Sequence, residues 1–230
     1  MRVSNIDLFV VDLDGTIADT RDDIAQSVNF VLAGEGRAPM STADVWRCVG
    51  EGVATLMTRV FGVGDGDAAW DLAVAKAEPD LRDVEAVRLR ERVGKFRAHY
   101  ALHLLDATKL YDGVASFLAR VRFAVLTNKP EAMSRHLLDG LGVGARAETV
   151  IGGDSLATRK PHPAGLNEIL ARCQVAADRA LFVGDSVVDV QTAIAAGVRF
   201  VGVSYGYSTR DELMGAGAMG VVDSLSEIAA

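Results

Sequence analysis

What this sequence has little of narrows its class. Its 230 residues include two cysteines, Cys48 and Cys173, far apart along the chain. One optional bridge is a poor scaffold for a chain of this length, which points to reduced thiols and a cytoplasmic setting. No apolar run approaches membrane-spanning length, and Met1 to Asp7 leads directly into a first strand with charge among its apolar residues, unlike a signal peptide. Excess positive charge is missing too. The formal net charge is -7, which argues against a broad electrostatic footprint for nucleic acid or an anionic membrane. An anionic substrate must then be captured locally, by individual lysines or a metal ion. There is no low-complexity tract, long like-charge run or solenoid repeat. With half of its residues hydrophobic and 24% charged, the chain is expected to fold around one well-buried core with room for an insertion.

The chain is organised around a stretch near its start. The apolar run Leu8 to Val11 has the pattern of a buried strand, and it stops at Asp12-Leu13-Asp14-Gly15-Thr16. In parallel α/β sheets the carboxyl ends of strands are where ligand sites form, so Asp12 and Asp14 are placed at a crevice mouth. Gly15 lets the backbone turn close to an anion. Taken alone, the stretch is equally well a strand ending in an Asp-Gly turn.

After Thr16 the period becomes helical: Ile24, Val28, Val31 and Leu32 share a face, with Asp22 and Asp23 in the first turn and Gly34 and Gly36 at the end. Ser41 or Thr42 caps a helix expected to reach Val49, Gly50-Glu51-Gly52 interrupts, and Val53 to Phe61 resumes. Gly62 to Asp67 is a breaker, and Trp70 to Leu105, broken at Pro79, is again helical in composition. Beyond it, the apolar runs Phe123 to Leu126, Val150-Ile151, Ala180 to Val183 and Phe200 to Val203 alternate with helical segments, the signature of a parallel sheet. The first strand must pair with these. The expected fold is an α/β, Rossmann-like doubly wound parallel sheet formed by residues 1–19 and 106–230, with an inserted all-α cap domain at 20–105. Leaving the sheet at a strand's carboxyl end, such an insertion suits a lid.

Three further strand ends carry polar groups. Phe123 to Leu126 runs into Thr127-Asn128-Lys129-Pro130 at a helix start, equipment for holding phosphate that serves equally as a simple cap. Lys160 precedes a proline in the loop Arg159 to Pro163, where most lysines are merely solvated, and His162 is assigned no chemistry. Leu181 to Val183 leads into Gly184-Asp185, with Asp189 one helical turn on, explicable by the helix dipole alone. The combination says more than its parts. If Asp12, Asp14 and Asp185 converge, their repulsion requires a cation, and oxygen-only ligands with neither His nor Cys suit Mg²⁺.

These residues, in this order, resemble the four motifs of the haloacid dehalogenase superfamily in its Mg²⁺-dependent phosphatase branch: Asp12 to Thr16, Thr127, Lys160, and Gly184 to Asp189. The strings Thr127 to Pro130, Gly152 to Leu156, Lys160 to Pro163 and Ser204 to Tyr207 are most similar to phosphoglycolate phosphatases. Gly50, Glu51 and Gly52 resemble that group's substrate-specificity loop, although Glu51 replaces an Asn found in some members and Asp112 a common Pro. The resemblance implies a phosphomonoester hydrolase acting on a small phosphorylated metabolite, as a monomer or homodimer. Asp12 is then the nucleophile that forms an aspartyl-phosphate and Asp14 the general acid and base. Mg²⁺ is held by Asp12, Asp14, Asp185 and Asp189, the last alternatively an orienter of Lys160. Gly15, Thr127, Asn128 and Lys160 hold the phosphate. A halide-displacing hydrolase needs only the first acid, so Asp14 favours phosphoryl chemistry; a pyrophosphatase or sugar phosphomutase keeps both. A non-catalytic scaffold would leave the four intact motifs without a reason.

Overall fold

In a computed structural model of the chain, residues 3–62 and 84–228 are described. The helical pattern expected between Trp70 and residue 83, and most of the breaker after Gly62, lie outside them. The chain divides into two compact units: residues 1–19 with 109–230, and residues 20–108.

The first unit contains eight short strands, β1 (Leu8–Val11), β2 (Ala18–Asp19), β3 (Lys109–Leu110), β4 (Phe123–Leu126), β5 (Ala147–Ile151), β6 (Ala180–Gly184), β7 (Arg199–Val203) and β8 (Val221–Val222). Six of them form one sheet in the order β5-β4-β1-β6-β7-β8, every pairing parallel. β1 is central because its four residues are buried on both faces, which only an interior strand of a covered parallel sheet requires. On one face Leu8, Val10, Ala124, Phe182 and Phe200 pack with Leu166, Ile169, Val190 and Leu213 from the helices Ala164–Cys173, Val187–Ala195 and Arg210–Ala216. On the other, Phe9 meets Phe117 of the helix Val114–Leu118 edge-on at 5.2 Å. Alternation along β1 thus feeds two core layers. β2 and β3 form a separate antiparallel ribbon at the two ends of the first unit's break.

The second unit is helical in its described residues. Arg21–Ala33 buries Ile24, Val28, Val31 and Leu32, the face that the sequence spacing predicts. Thr42–Trp46 is capped by Ser41, whose Oγ accepts from Asp44 N. It ends short of the expected Val49 because Cys48 N and Val49 N reach back only three residues, to Val45 O and Trp46 O, tightening the chain before Gly50. Val53–Phe61 forms as expected, and Val84–His103 buries Leu89, Val93, Phe96 and Tyr100. The unit runs past residue 105 to Thr108. Buried Asp23 draws the chain in, accepting from Ala107 N at 2.9 Å, Thr108 N at 2.9 Å and Thr108 Oγ1 at 2.7 Å.

Candidate active site

The carboxyl ends of β1, β4 and β6 adjoin, and each delivers its polar residue at the first position past the strand: Asp12, Thr127 and Asp185. Asp189 joins them from the first turn of Val187–Ala195. Asp12, Asp185 and Asp189 are all buried, and one carboxylate oxygen of each lies within 4.8 Å of the others. Lys160, 5% exposed, reaches in from the loop after β5, its Nζ 2.8 Å from Asp12 Oδ1 and 2.6 Å from Asp189 Oδ1.

Electrostatics follow from that crowding. Burial pushes the Asp12 carboxyl up to about 7, with Lys160 pulling against it and Asp189 adding to it. Burial likewise raises Asp185 well above the carboxylate range, and the Asp12 charge raises it further, against bonds from Tyr207 and Thr16. Burial would strip the proton from Lys160, but its attraction to Asp12 and Asp189 outweighs this and holds the ammonium. Three buried acids against one ammonium leave negative charge uncompensated. An all-oxygen donor set with an excess of negative charge fits a hard divalent cation such as Mg²⁺.

The supporting bonds sort the acids. Asp189 Oδ2 accepts from Ser186 Oγ at 2.6 Å and Ser186 N at 3.1 Å, closing a capping box, while Oδ1 takes Lys160. Both oxygens are therefore engaged, Oδ1 by Lys160 and Oδ2 by the helix cap. Asp185 is gripped by Thr16 Oγ1 at 2.8 Å and Tyr207 N at 2.6 Å. A Cβ on Gly15, which sits at φ 86, would collide with Asp185 Oδ2, and one on Gly206 would collide with the same side chain. Gly15 is thus required where the loop after β1 crosses Asp185.

Asp14 is not one of the three clustered acids, although its charge adds to the rise at Asp12, and it pairs with buried Lys129, Nζ to Oδ1 at 2.8 Å. Thr127 is buried and its Oγ1 accepts from Lys129 N at 3.1 Å. Asn128 clamps Lys160: its Nδ2 donates to Lys160 O and its Oδ1 accepts from Lys160 N, each at 3.1 Å. Gly50, Glu51 and Gly52 belong to the helical unit, where Glu51 is ion-paired with Arg59.

Sequence reasoning gave no role to Lys129, or to the loop after β7 in which Tyr205 donates to Thr16 O at 3.0 Å and Tyr207 and Gly206 pack on Asp185. The signal available was position: Lys129 stands two residues past Thr127, and Ser204 to Tyr207 directly follows another strand end.

Comparison with known proteins agrees with this geometry. The family model of haloacid dehalogenase-like hydrolases matches residues 9–203. A phosphoglycolate phosphatase of Rhodospirillum rubrum is 40% identical over 227 residues, covering 95% of this chain and 88% of its own. One from Colwellia psychrerythraea is 31% identical, covering 99% and 97%. A crystal structure of a protein from Haemophilus somnus, described as a predicted phosphoglycolate phosphatase, superposes with a TM-score of 0.82 at 26% identity, covering 97% of this chain and 96% of that one. On the motif geometry, the sheet order and these matches together, the chain belongs to the family of haloacid dehalogenase-like hydrolases.

Proposed function

We propose that the chain is a Mg²⁺-dependent phosphomonoester hydrolase working through an aspartyl-phosphate on Asp12, with 2-phosphoglycolate as substrate. The observation that carries the reading is the buried cluster of Asp12, Asp185 and Asp189 around Lys160 at adjoining strand ends. The substrate rests on the names of the relatives from Rhodospirillum rubrum and Colwellia psychrerythraea.

Asp12, Asp185 and the main-chain carbonyl of Asp14 would hold the cation, which supplies positive charge between an anionic nucleophile and an anionic phosphate. Lys160 favours the ionised form of Asp12 and holds a phosphate oxygen; Asp189 and Asn128 fix Lys160 from two sides. Asp12 attacks phosphorus as the phosphorus–alkoxide bond breaks, and Asp14 gives its proton to the leaving oxygen. Asp14 then takes a proton from the water that attacks phosphorus, releasing phosphate and free Asp12. Thr127 Oγ1 and the backbone at Gly15 stabilise charge on the transferring group. Residues 20–105 act as the cap, with Gly50, Glu51 and Gly52 reading the substrate.

The test is a hydrolysis screen of 2-phosphoglycolate, pyrophosphate, a glucose phosphate and p-nitrophenyl phosphate, with Mg²⁺ and with chelator. The expected result is a preference for 2-phosphoglycolate that chelation abolishes. Preference for pyrophosphate would overturn the substrate, and turnover indifferent to chelation would overturn the cation.

A further inference from the structure

The loop after β7 reaches Asp185 by two routes. The direct one is main-chain: Tyr207 N donates to Asp185 Oδ2 at 2.6 Å and Ser208 N to Asp185 O at 2.9 Å. The other passes through a second loop. Tyr205 donates its hydroxyl to Thr16 O at 3.0 Å, and Thr16 Oγ1 donates to Asp185 Oδ1 at 2.8 Å. Thr16 is fully buried, so its carbonyl needs a partner inside the protein. The Tyr205 ring is held in turn by Tyr111, whose ring lies 4.3 Å away and 38° from parallel. Tyr111 N donates to Ile17 O at 3.2 Å, which ties Tyr111 to the loop that carries Thr16.

These bonds fix direction as well as position. Oδ1 and Oδ2 of Asp185 accept from different loops, so the carboxylate cannot turn without breaking both bonds. Burial pushes the Tyr205 phenol upward and the Asp185 charge adds to the rise, so the hydroxyl keeps its proton and remains a donor. A carboxylate oriented before its cation arrives loses less freedom on binding it. Groups behind a metal ligand are commonly worth about 10- to 100-fold in affinity.

We propose that Tyr205 is a positioning residue for Asp185, acting through Thr16 to set the affinity of the site for its divalent cation. The inference rests on the reading of Asp185 as a Mg²⁺ ligand. The Tyr205 hydroxyl anchors the Thr16 main chain, the Thr16 hydroxyl aims Oδ1, and Tyr207 N aims Oδ2. Loss of the phenol hydroxyl therefore weakens cation binding while every reacting group stays in place.

The test is Mg²⁺ binding to the full chain, followed by calorimetry with no substrate present. Tyr205→Phe keeps the ring on Tyr111 and deletes the hydroxyl; it is expected to weaken Mg²⁺ binding by about tenfold. Thr16→Val preserves the side-chain shape and should weaken binding at least as much, whereas Thr16→Ser, which retains the hydroxyl, should restore most of that loss. Because the route runs through Thr16, adding Tyr205→Phe to Thr16→Val should cost little more. With p-nitrophenyl phosphate, the half-saturating Mg²⁺ of Tyr205→Phe should rise while the rate at saturating Mg²⁺ recovers. Unchanged Mg²⁺ binding in Tyr205→Phe, or a loss fully additive with that of Thr16→Val, would overturn the inference and leave the cation in place. Parent protein that binds no Mg²⁺ would overturn the cation itself, and the inference with it.

Discussion

As the proposed nucleophile Asp12 would have to be an anion, yet its burial pushes its carboxyl up to about 7 against the pull of Lys160. Without a cation, therefore, the folded chain keeps a proton that an unfolded chain with an ordinary carboxyl, at 3.8, gives up. Because the native state binds the extra proton, this site's contribution to stability is largest at the acid end and is lost as pH rises toward and through about 7. In chelator, the melting temperature of the parent relative to Asp12→Asn is expected to fall between about pH 5 and about pH 7.5. Adding Mg²⁺ should reverse the fall. A parent-to-variant difference that does not change with pH would contradict the burial argument. At the same scale, Gly206→Ala thrusts a methyl against Asp185. Its half-saturating Mg²⁺ is expected to rise by about tenfold or more, with activity recovering at high Mg²⁺; an unchanged Mg²⁺ titration would count against Asp185 as a ligand.

Strand ends made much of the site legible in the sequence. Asp12, Thr127 and Asp185 each follow a short apolar run, and a parallel sheet brings such ends to one edge regardless of how far apart they are in the chain. Lys160 and Asp189 were legible only through the motif, since a loop lysine and a first-turn acid have ordinary explanations. Less readable were contacts set by loops with no periodicity: the wrap of Tyr205 to Ser208 around Asp185, and the clamp of Asn128 on the Lys160 main chain. The two-residue strands β2, β3 and β8 are too short to show any period. Asp23 teaches the same lesson for helices. Its place in the first turn of Arg21–Ala33 satisfies the helix dipole, but its carboxylate in fact ties down Ala107 and Thr108. Asp23→Ala leaves those donors unpaired and is expected to cost about 3 kcal/mol in urea unfolding. A loss below about 1 kcal/mol, the scale of one ordinary hydrogen bond, would show that the junction is held by other contacts.

Across the whole molecule, a net charge of -7 makes local cations indispensable for an anionic substrate. Lys160 and Lys129 are both buried at the site, one on Asp12 and Asp189, the other on Asp14. Lys129→Met removes the partner of the proposed acid without touching the nucleophile. Its defect is expected to be larger for 2-phosphoglycolate than for p-nitrophenyl phosphate, whose leaving group needs no proton; equal defects would remove Lys129 from that step. The division of roles between the two acids is the centre of the account, and it is tested most directly by trapping the covalent intermediate. Parent protein mixed with Mg²⁺ and 2-phosphoglycolate, quenched in acid during turnover and mapped by peptide mass spectrometry, should carry phosphate on Asp12, with none in Asp12→Asn. Steady turnover with no trapped phosphate, or with phosphate on another residue, would contradict it.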